Sequence, residues 1–219
     1  MFAGIAPRYD LGNRVLSLGL DRVWRRRAAA AAVVGPGHRA LDVCAGTGDL
    51  AFDLARRGAN VVAADFCEEM VARGKSKAGR RGVPVSFVVA DALALPFANG
   101  TFDAVTIAFG LRNLVDPEAG LREMARVLRR GGRLVVLEFA QPRGWLLKRA
   151  YGLYARTLLP RLGGWITGSR AAYEYLPRTV FAFASAEGVG RALGAAGMGG
   201  VEVGRWSGGI VACARGTLP

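Results

Sequence analysis

The chain has 219 residues, of which 52 % are hydrophobic and 21 % charged, and a formal net charge of +13. This is too apolar for a disordered tail, and the length provides for one domain with a real core, with or without an appended cap. The longest apolar run, seven residues from Ala28 to Val34, is far below the ~18 needed to cross a bilayer. No apolar signal segment opens the chain, so a cytoplasmic protein without a membrane span is expected.

From residue 39 onward, short β-branched runs alternate with longer amphipathic ones. The pattern predicts a strand over Arg39-Ala-Leu-Asp-Val-Cys44, a helix over Asp49 to Arg57, a strand over Asn60 to Ala64 and a helix over Cys67 to Arg80. Strands at Val85 to Ala90 and Phe102 to Ala108 follow. A helix over Glu118 to Arg130 then carries Leu121, Met124, Val127 and Leu128 on one face. Gly131-Gly132 is expected to stop it before a fifth strand, Arg133 to Phe139. Repeated βα units of this length imply a doubly wound parallel sheet. After Gln141-Pro142 the rhythm becomes helical, aromatic and basic through Phe183. Ser185 offers an N-cap for a helix to Ala196, and Val201 to Trp206 with Ile210 to Ala214 form a closing hairpin around Ser207-Gly-Gly209.

Cys44, Cys67 and Cys213 are widely spaced with no CxxC pair, and His38 is the single histidine, so neither a metal centre nor a disulfide framework is expected. His38 lies in the turn Gly35-Pro-Gly-His-Arg39 and reads as structural or solvated. The basic excess falls at residues 1–40, with seven Arg against Asp10 and Asp21, and at residues 141–180, with seven Lys or Arg against Glu174. Nucleic acid, an anionic membrane surface and simple solubility are the three readings of such an excess.

The first strand runs into Ala45-Gly-Thr-Gly-Asp49 and a helix, so Gly46 and Gly48 let the backbone approach a ligand at a helix N-terminus. Gly46-x-Gly48-x-x-Ala51 also fits the dinucleotide fingerprint. Asp65, ending the second strand, is placed to accept both hydroxyls of an adenosine ribose, a role that serves NAD and S-adenosylmethionine equally. Asp91-Ala92, ending the third, can reach an adenine edge. Asp42 is a carboxylate in a strand that should be buried, which calls for a cationic ligand or the loop's own N–H groups as partner.

Leu41-Asp-Val-Cys-Ala-Gly-Thr-Gly-Asp49, Ala64-Asp65, Asp91-Ala-Leu-Ala-Leu-Pro-Phe97, Phe102-Asp-Ala-Val105 and Leu128-Arg-Arg-Gly-Gly-Arg-Leu134 resemble class I S-adenosylmethionine-dependent methyltransferases. Further runs are more specific: residues 1–10, Asn13 to Ser17, Trp24-Arg25, Phe109-Gly-Leu-Arg-Asn113, Leu137-Glu-Phe139 and Tyr173-Glu-Tyr-Leu176. These resemble the ubiquinone/menaquinone biosynthesis C-methyltransferase family over nearly the whole chain. Departures are mild: Ala108 stands where Ser is frequent, Thr179-Val180 where Ser-Ile is frequent, and a short leader before Met1 is missing.

The resemblance implies a Rossmann-like α/β fold with a mostly parallel seven-stranded sheet ending in an antiparallel hairpin. It divides the single domain into an N-terminal helical lid (1–35), a cofactor-binding core (36–140), a helical substrate cap (141–184) and a closing helix and hairpin (185–219). The implied activity is methyl transfer from S-adenosylmethionine to a ring carbon of a prenylated quinol, without a metal. Asp42, Gly46, Thr47, Gly48, Asp65, Asp91 and Ala92 are the expected cofactor residues. Arg112 is expected to make the quinol more phenolate-like and Asn113 to orient its oxygen, while Asp91 is a second candidate for proton acceptor, through water. Tyr9, Asp10, Tyr173 and Tyr175 are expected to close over the ring, and Glu138 to be a structural carboxylate.

Residues 145–165 combine Trp145, Leu146, Leu147, Tyr151, Tyr154, Leu158 and Trp165 with Lys148, Arg149, Arg156 and Arg161, the composition of a helix in a membrane interface. A peripheral membrane association is one expectation; because Gly152 and Pro160 interrupt a long amphipathic helix, an ordinary cap helix packed on the sheet with a solvated basic face is the other, and a homodimer is a candidate assembly. An NAD-dependent oxidoreductase would need a Tyr-x-x-x-Lys or a placed His, and neither is evident. A nucleic-acid methyltransferase would be expected to show the Asn/Asp-Pro-Pro-Tyr/Phe grip, which is missing, so no nucleic-acid partner is expected.

Overall fold

A computed structural model describes residues 8–158, 161, 164, 179 and 185–219. Two helices come first, α1 (Tyr9–Leu16) and α2 (Leu20–Ala31), hinged at Leu18 and Gly19, both in the left-handed region at φ 53° and 77°. Asp21, Trp24, Arg25, Ala28 and Ala29 form the buried stripe of α2 at helical spacing. The alternating core follows as β1 (Arg39–Val43), α3 (Asp49–Ala55), β2 (Asn60–Asp65), α4 (Glu68–Arg81), β3 (Val85–Val89), β4 (Phe102–Ala108), α5 (Pro117–Val127) and β5 (Leu128–Phe139). Then come α6 (Trp145–Leu153), continued by a π-type turn over Tyr154–Leu158, α7 (Ala186–Ala195), β6 (Gly199–Trp206) and β7 (Val211–Thr217).

The seven strands form one sheet in the order β3-β2-β1-β4-β5-β7-β6, parallel except for β7, which runs antiparallel to both β5 and β6. This is the doubly wound sheet with a closing hairpin that the sequence predicts. Alternate strand residues feed two apolar layers, as a period of two requires. Ala40, Ala63, Ala104 and Val135 pack beneath α2, α3 and α4. Leu41, Val105, Ile107 and Val136 pack with α5 and α7 through Leu121, Met124, Val189 and Leu193. Ser185 caps α7 as expected, its hydroxyl oxygen accepting the Gly188 N–H at 3.2 Å.

One boundary differs from the sequence reading. The helix expected to reach Arg130 ends at Val127, and Leu128 is already extended (φ −75°, ψ 141°) and paired in register with Phe102. Both side chains are buried, so pairing them outweighs the three further residues of helix, less than one turn. Gly131-Gly132 therefore lies inside β5, tied by Gly131 N–H to Leu218 O at 2.8 Å and by Leu218 N–H to Gly132 O at 2.9 Å. No helix among the described residues is long and apolar enough to cross a membrane.

Candidate active site

The parallel strands bring their C-terminal ends to one edge of the sheet, where a cavity of about 860 Å³ lies under α1, α2 and α6. Strand order dictates the sequence of groups along its floor. Asp91 and Ala92 stand after β3, Asp65 at the end of β2, Cys44 and Gly46 after β1, Phe109 to Asn113 after β4, and Phe139 at the end of β5. Cys44 and Phe109, at adjacent strand ends, both hold φ values (52° and 60°) that cost a non-glycine residue energy, a strain that concentrates at functional sites.

The first half of the floor is backbone and carboxylate. Asp65 Oδ2 accepts the Gly46 N–H at 2.7 Å and Oδ1 accepts the Cys67 N–H at 2.9 Å. Burial raises its pKa and these two N–H groups oppose the rise. Each oxygen keeps acceptor capacity for a ligand hydroxyl. Gly46 (φ 57°) lines the cavity, and the nearest atom to where a Cβ would stand is Tyr9 Cε1, 3.7 Å away. Gly48 does something else: a Cβ there would come within 2.6 Å of Phe87 Cζ, so its bareness lets the loop pack on β3. Asp91 Oδ1 accepts the Leu93 N–H at 2.9 Å, and Ala92 is buried on the cavity wall.

Thr47 and Asp10, expected at cofactor and acceptor, are turned into a polar knot with Lys77. The Thr47 hydroxyl donates to Asp10 Oδ1 at 2.6 Å, and Lys77 Nζ lies 2.6 Å from Asp10 Oδ2, 3.0 Å from Thr47 Oγ1 and 2.7 Å from Asp49 Oδ1. Burial pushes the Asp49 carboxyl up, but the Lys77 charge and hydrogen bond more than offset it and leave its pKa below the ordinary range. The knot ties α1 to the glycine loop, with Tyr9 of α1 on the cavity wall. Lys77 was missed by the sequence reading. It occupies the buried face of α4 with Met70, Val71, Gly74 and Ala78, and a lysine at an apolar-face position was the available signal.

Asp42 is wholly buried and is not among the cavity-lining residues. Its partner is the register neighbour Thr106, whose hydroxyl donates to Oδ1 at 2.7 Å, while Oδ2 has none. Burial raises its pKa to about 7. The Cys44 thiol is likewise pushed up by burial and by the carboxylates of Asp65, Asp42 and Glu138.

The second half of the floor is aromatic and ion-paired. Phe109 and Phe139 lie with ring centroids 4.5 Å apart, and Trp24 meets both edge-on. Arg112 follows β4 as expected, but it is not a lone cation. Its Nη1 sits 2.5 Å from Glu138 Oε1 and donates to Phe109 O at 2.8 Å, and both side chains are over nine-tenths buried. Glu138 Oε1 also accepts the Phe139 N–H at 2.8 Å, consistent with a structural carboxylate. Tyr151 of α6 lines the same region. Burial drives its phenol up to about 12, against the lowering influence of Arg112.

Among the described residues, five buried side-chain nitrogen or oxygen atoms lack a partner, and three of them, Arg25 Nε, Arg112 Nε and Asn113 Oδ1, belong to residues of the cavity wall. Buried polar groups are rarely left without a hydrogen bond, so these three are candidates for contact with a ligand. Asp91 and Arg112 are separated by three strand spacings, ~14 Å, so the structure brings Asp91 together with Asp65 and not with Arg112. Tyr173 and Tyr175 lie outside the described residues. The donor set beside β1 to β3, two ribose-type acceptor positions on Asp65 and a bare Gly46, fits an adenosyl cofactor.

The ubiE/COQ5 methyltransferase family matches residues 1–218. A demethylmenaquinone methyltransferase of Thermus thermophilus is 53 % identical over 90 % of this chain and 90 % of that protein. A ubiquinone/menaquinone biosynthesis C-methyltransferase of Geobacter sulfurreducens is 48 % identical over 85 % of this chain and 75 % of that protein. The crystal structure of a possible histamine N-methyltransferase from Thermotoga maritima superposes with a TM-score of 0.70 over 100 % of this chain and 98 % of the other, at 19 % identity, which speaks to the fold alone. Fold, cofactor floor and full-length match agree: the chain belongs to the ubiE/COQ5 methyltransferase family and is an S-adenosylmethionine-dependent C-methyltransferase.

Proposed function

We propose that the enzyme methylates a ring carbon of a prenylated naphthoquinol, converting demethylmenaquinol to menaquinol, with a prenylated benzoquinol as the alternative acceptor. The observation that carries the acceptor class is the pair of adjacent unmatched groups after β4: a donor, Arg112 Nε, beside an acceptor, Asn113 Oδ1, in the apolar half of the cavity. A quinol hydroxyl is both donor and acceptor, and its fused ring suits walls built from Phe109, Phe139 and Trp24. The Thermus relative's name favours the naphthoquinol, and the Geobacter relative's name keeps the benzoquinol in view.

When bound, S-adenosylmethionine supplies an activated sulfonium methyl, so ring carbon–methyl bond formation accompanies carbon–sulfur cleavage and the ring proton is released. Asp65 accepts from the ribose, the Gly46 backbone allows close approach, and Asp91 with Ala92 holds the base, which withdraws Asp91 from the role of proton acceptor. Arg112, its charge held in place by Glu138, donates through Nε to the quinol oxygen and favours its anionic form, while Asn113 fixes the ring's rotation.

The greasy tail asks for a route from a bilayer. Helix α6 half-buries Tyr151 against the cavity and shows Trp145 (76 % exposed), Leu146 and Leu153 beside exposed Lys148 and Arg149. Leu18, 88 % exposed at the α1–α2 hinge, and Leu147 of α6 both line the cavity. An apolar and basic rim around the cavity mouth supports docking on the anionic cytoplasmic face of a membrane. The test is incubation with methyl-labelled S-adenosylmethionine and anionic vesicles that carry either reduced demethylmenaquinol or a reduced prenylated benzoquinol lacking the ring methyl. Label is expected in menaquinol. Label appearing only in a benzoquinol selects the alternative, and label in neither overturns the reading.

A further inference from the structure

Two arginines stand on the cavity wall in the same aromatic cluster, and they differ in how they are satisfied. Arg112 has a carboxylate at 2.5 Å and a carbonyl at 2.8 Å. Arg25 has neither. It is 8 % exposed, lies with its guanidinium carbon 5.2 Å from the centre of the Phe109 ring, and makes no hydrogen bond among the described residues. Its nearest carboxylate oxygen, Asp21 Oδ2, is 3.8 Å from Nε, beyond hydrogen-bond reach, while Asp21 Oδ1 is already engaged by the Ser17 hydroxyl at 2.7 Å. A buried Nε with no hydrogen-bond acceptor, on a guanidinium whose ion pair with Asp21 is 3.8 Å long, is a costly arrangement unless an anion completes it.

Its place says which anion. Arg25 acts electrostatically on Asp42 near the end of β1 and on Asp49 at the start of α3, so its charge reaches the glycine loop, while its guanidinium lies against Phe109 at the end of β4. With the base at Asp91 after β3 and the ribose at Asp65 on β2, the amino-acid end of a bound cofactor would lie further along the floor, toward β1 and β4, the next strands in the sheet. That end carries a permanent carboxylate. Glu138 holds Arg112 at 2.5 Å, whereas Arg25 has only the looser 3.8 Å ion pair with Asp21 and no hydrogen bond to it, which leaves Arg25 as the lining cation with donors still to fill.

We propose that Arg25 is the binding residue for the α-carboxylate of the cofactor, an assignment that rests on the S-adenosylmethionine reading of the cavity. A planar guanidinium matches a carboxylate in two parallel hydrogen bonds, a geometry that lysine does not reproduce. The motif reading quoted Trp24-Arg25 only as part of the family resemblance. The missing acceptor is visible only once α2 is folded over the sheet.

Isothermal titration with S-adenosylhomocysteine and with its decarboxylated analogue, which keeps the adenosyl group and the amine, tests this without turnover. The native enzyme is expected to bind S-adenosylhomocysteine at least tenfold more tightly than the analogue. Arg25→Met should lose that discrimination, weakening S-adenosylhomocysteine tenfold or more and leaving the analogue within twofold. Arg25→Lys should recover part of it. Equal weakening of both ligands by Arg25→Met would make the residue merely structural, and undiminished discrimination would place the carboxylate elsewhere. Unchanged binding of both, with a raised KM for the quinol, would assign the cation to the acceptor's oxygen; each of these results overturns the proposal. If Arg25→Met does not fold by thermal unfolding, the native enzyme's own ratio for the two ligands still decides, since a ratio near one excludes any cation on the carboxylate. Binding of neither ligand by the native enzyme would instead bring down the cofactor reading itself.

Discussion

At the ends of β1, β2 and β3 the cavity wall is made of backbone N–H groups and carboxylates, and its polar contacts run from carboxylate to backbone: Asp65 to Gly46 and Cys67, Asp91 to Leu93. At the ends of β4 and β5 it is made of Trp24, Phe109 and Phe139 around a buried Arg112–Glu138 pair, assembled from α2, β4 and β5. On the proposed reading, the first half holds a polar nucleoside by hydrogen bonds with little reorganisation. The second excludes water from an apolar ring while keeping one donor and one acceptor in reserve. The difference teaches that a loss in the cofactor half costs one or two hydrogen bonds, whereas the acceptor half depends on a charge pair whose members cannot be removed singly.

The sharpest way to break that contrast is to split the pair. Arg112→Met leaves Glu138, 1 % exposed at its side chain, as an uncompensated buried carboxylate, at a cost of ~3–5 kcal/mol of stability. Methyl transfer should fall by ~10²-fold or more, with S-adenosylhomocysteine affinity near normal by titration. Arg112→Met/Glu138→Gln should regain most of the stability in urea unfolding and none of the turnover. A double variant as unstable as the single one would show that the pair's electrostatics are not what holds β4 to β5.

On the other side, Asp65→Ala removes acceptors from two backbone N–H groups and from the ribose. A hydrogen bond to a charged group is worth ~1.5–3 kcal/mol, so cofactor affinity should fall roughly tenfold to a hundredfold while the acceptor KM stays close to native. Unchanged affinity would remove Asp65 from the site. A third measurement probes the rim above the acceptor half alone. Each surface cation contributes ~1 kcal/mol on an anionic bilayer, so Lys148→Gln/Arg149→Gln should weaken co-sedimentation with anionic vesicles roughly tenfold or more at low salt, and leave cofactor binding untouched. Equal sedimentation with neutral vesicles would return α6 to an ordinary solvated helix.

These two halves were not equally legible in the chain. The doubly wound sheet, the closing hairpin and the positions of Asp65 and Ala92 at strand ends follow from local patterns, because each is fixed by a strand end and the loop after it. Gly48 was read as a ligand-facing glycine because its spacing matches one; its real neighbour, Phe87, arrives from β3 some forty residues later. Arg112 was placed correctly and its partner was not, since the pairing with Glu138 depends on β4 lying beside β5. Asp10 matched a motif of the acceptor site, yet its carboxylate is claimed by Thr47 and Lys77. What a single stretch of chain cannot encode is which of two compatible partners reaches a polar group first in three dimensions.

The knot beneath the glycine loop allows a smaller and more selective test, because it joins the lid to the cofactor half without touching the acceptor half. Asp49 opens α3, and its carboxylate is held by Lys77 at 2.7 Å, with Arg81 at 3.6 Å. Despite burial, those cations keep its pKa below the ordinary carboxylate range. An acid whose folded pKa is depressed contributes stability that is fully present above its unfolded pKa and is lost as the pH falls through the folded value. Asp49→Asn should therefore cost ~1 kcal/mol at pH 7, the scale of one partly exposed charged hydrogen bond. The gap from the native enzyme should hold constant from pH 8 to about pH 5 and close below about pH 4, where the native carboxylate takes up its proton. Lys77 keeps Asp10 and Thr47 in the variant, so Tyr9 should stay over Gly46 and cofactor affinity should change by less than a few-fold. Urea unfolding across that pH range reads the first expectation and titration reads the second. A stability gap that persists in acid would mean that Asp49 acts through packing at the start of α3, and that the charge on Lys77 serves Asp10 alone.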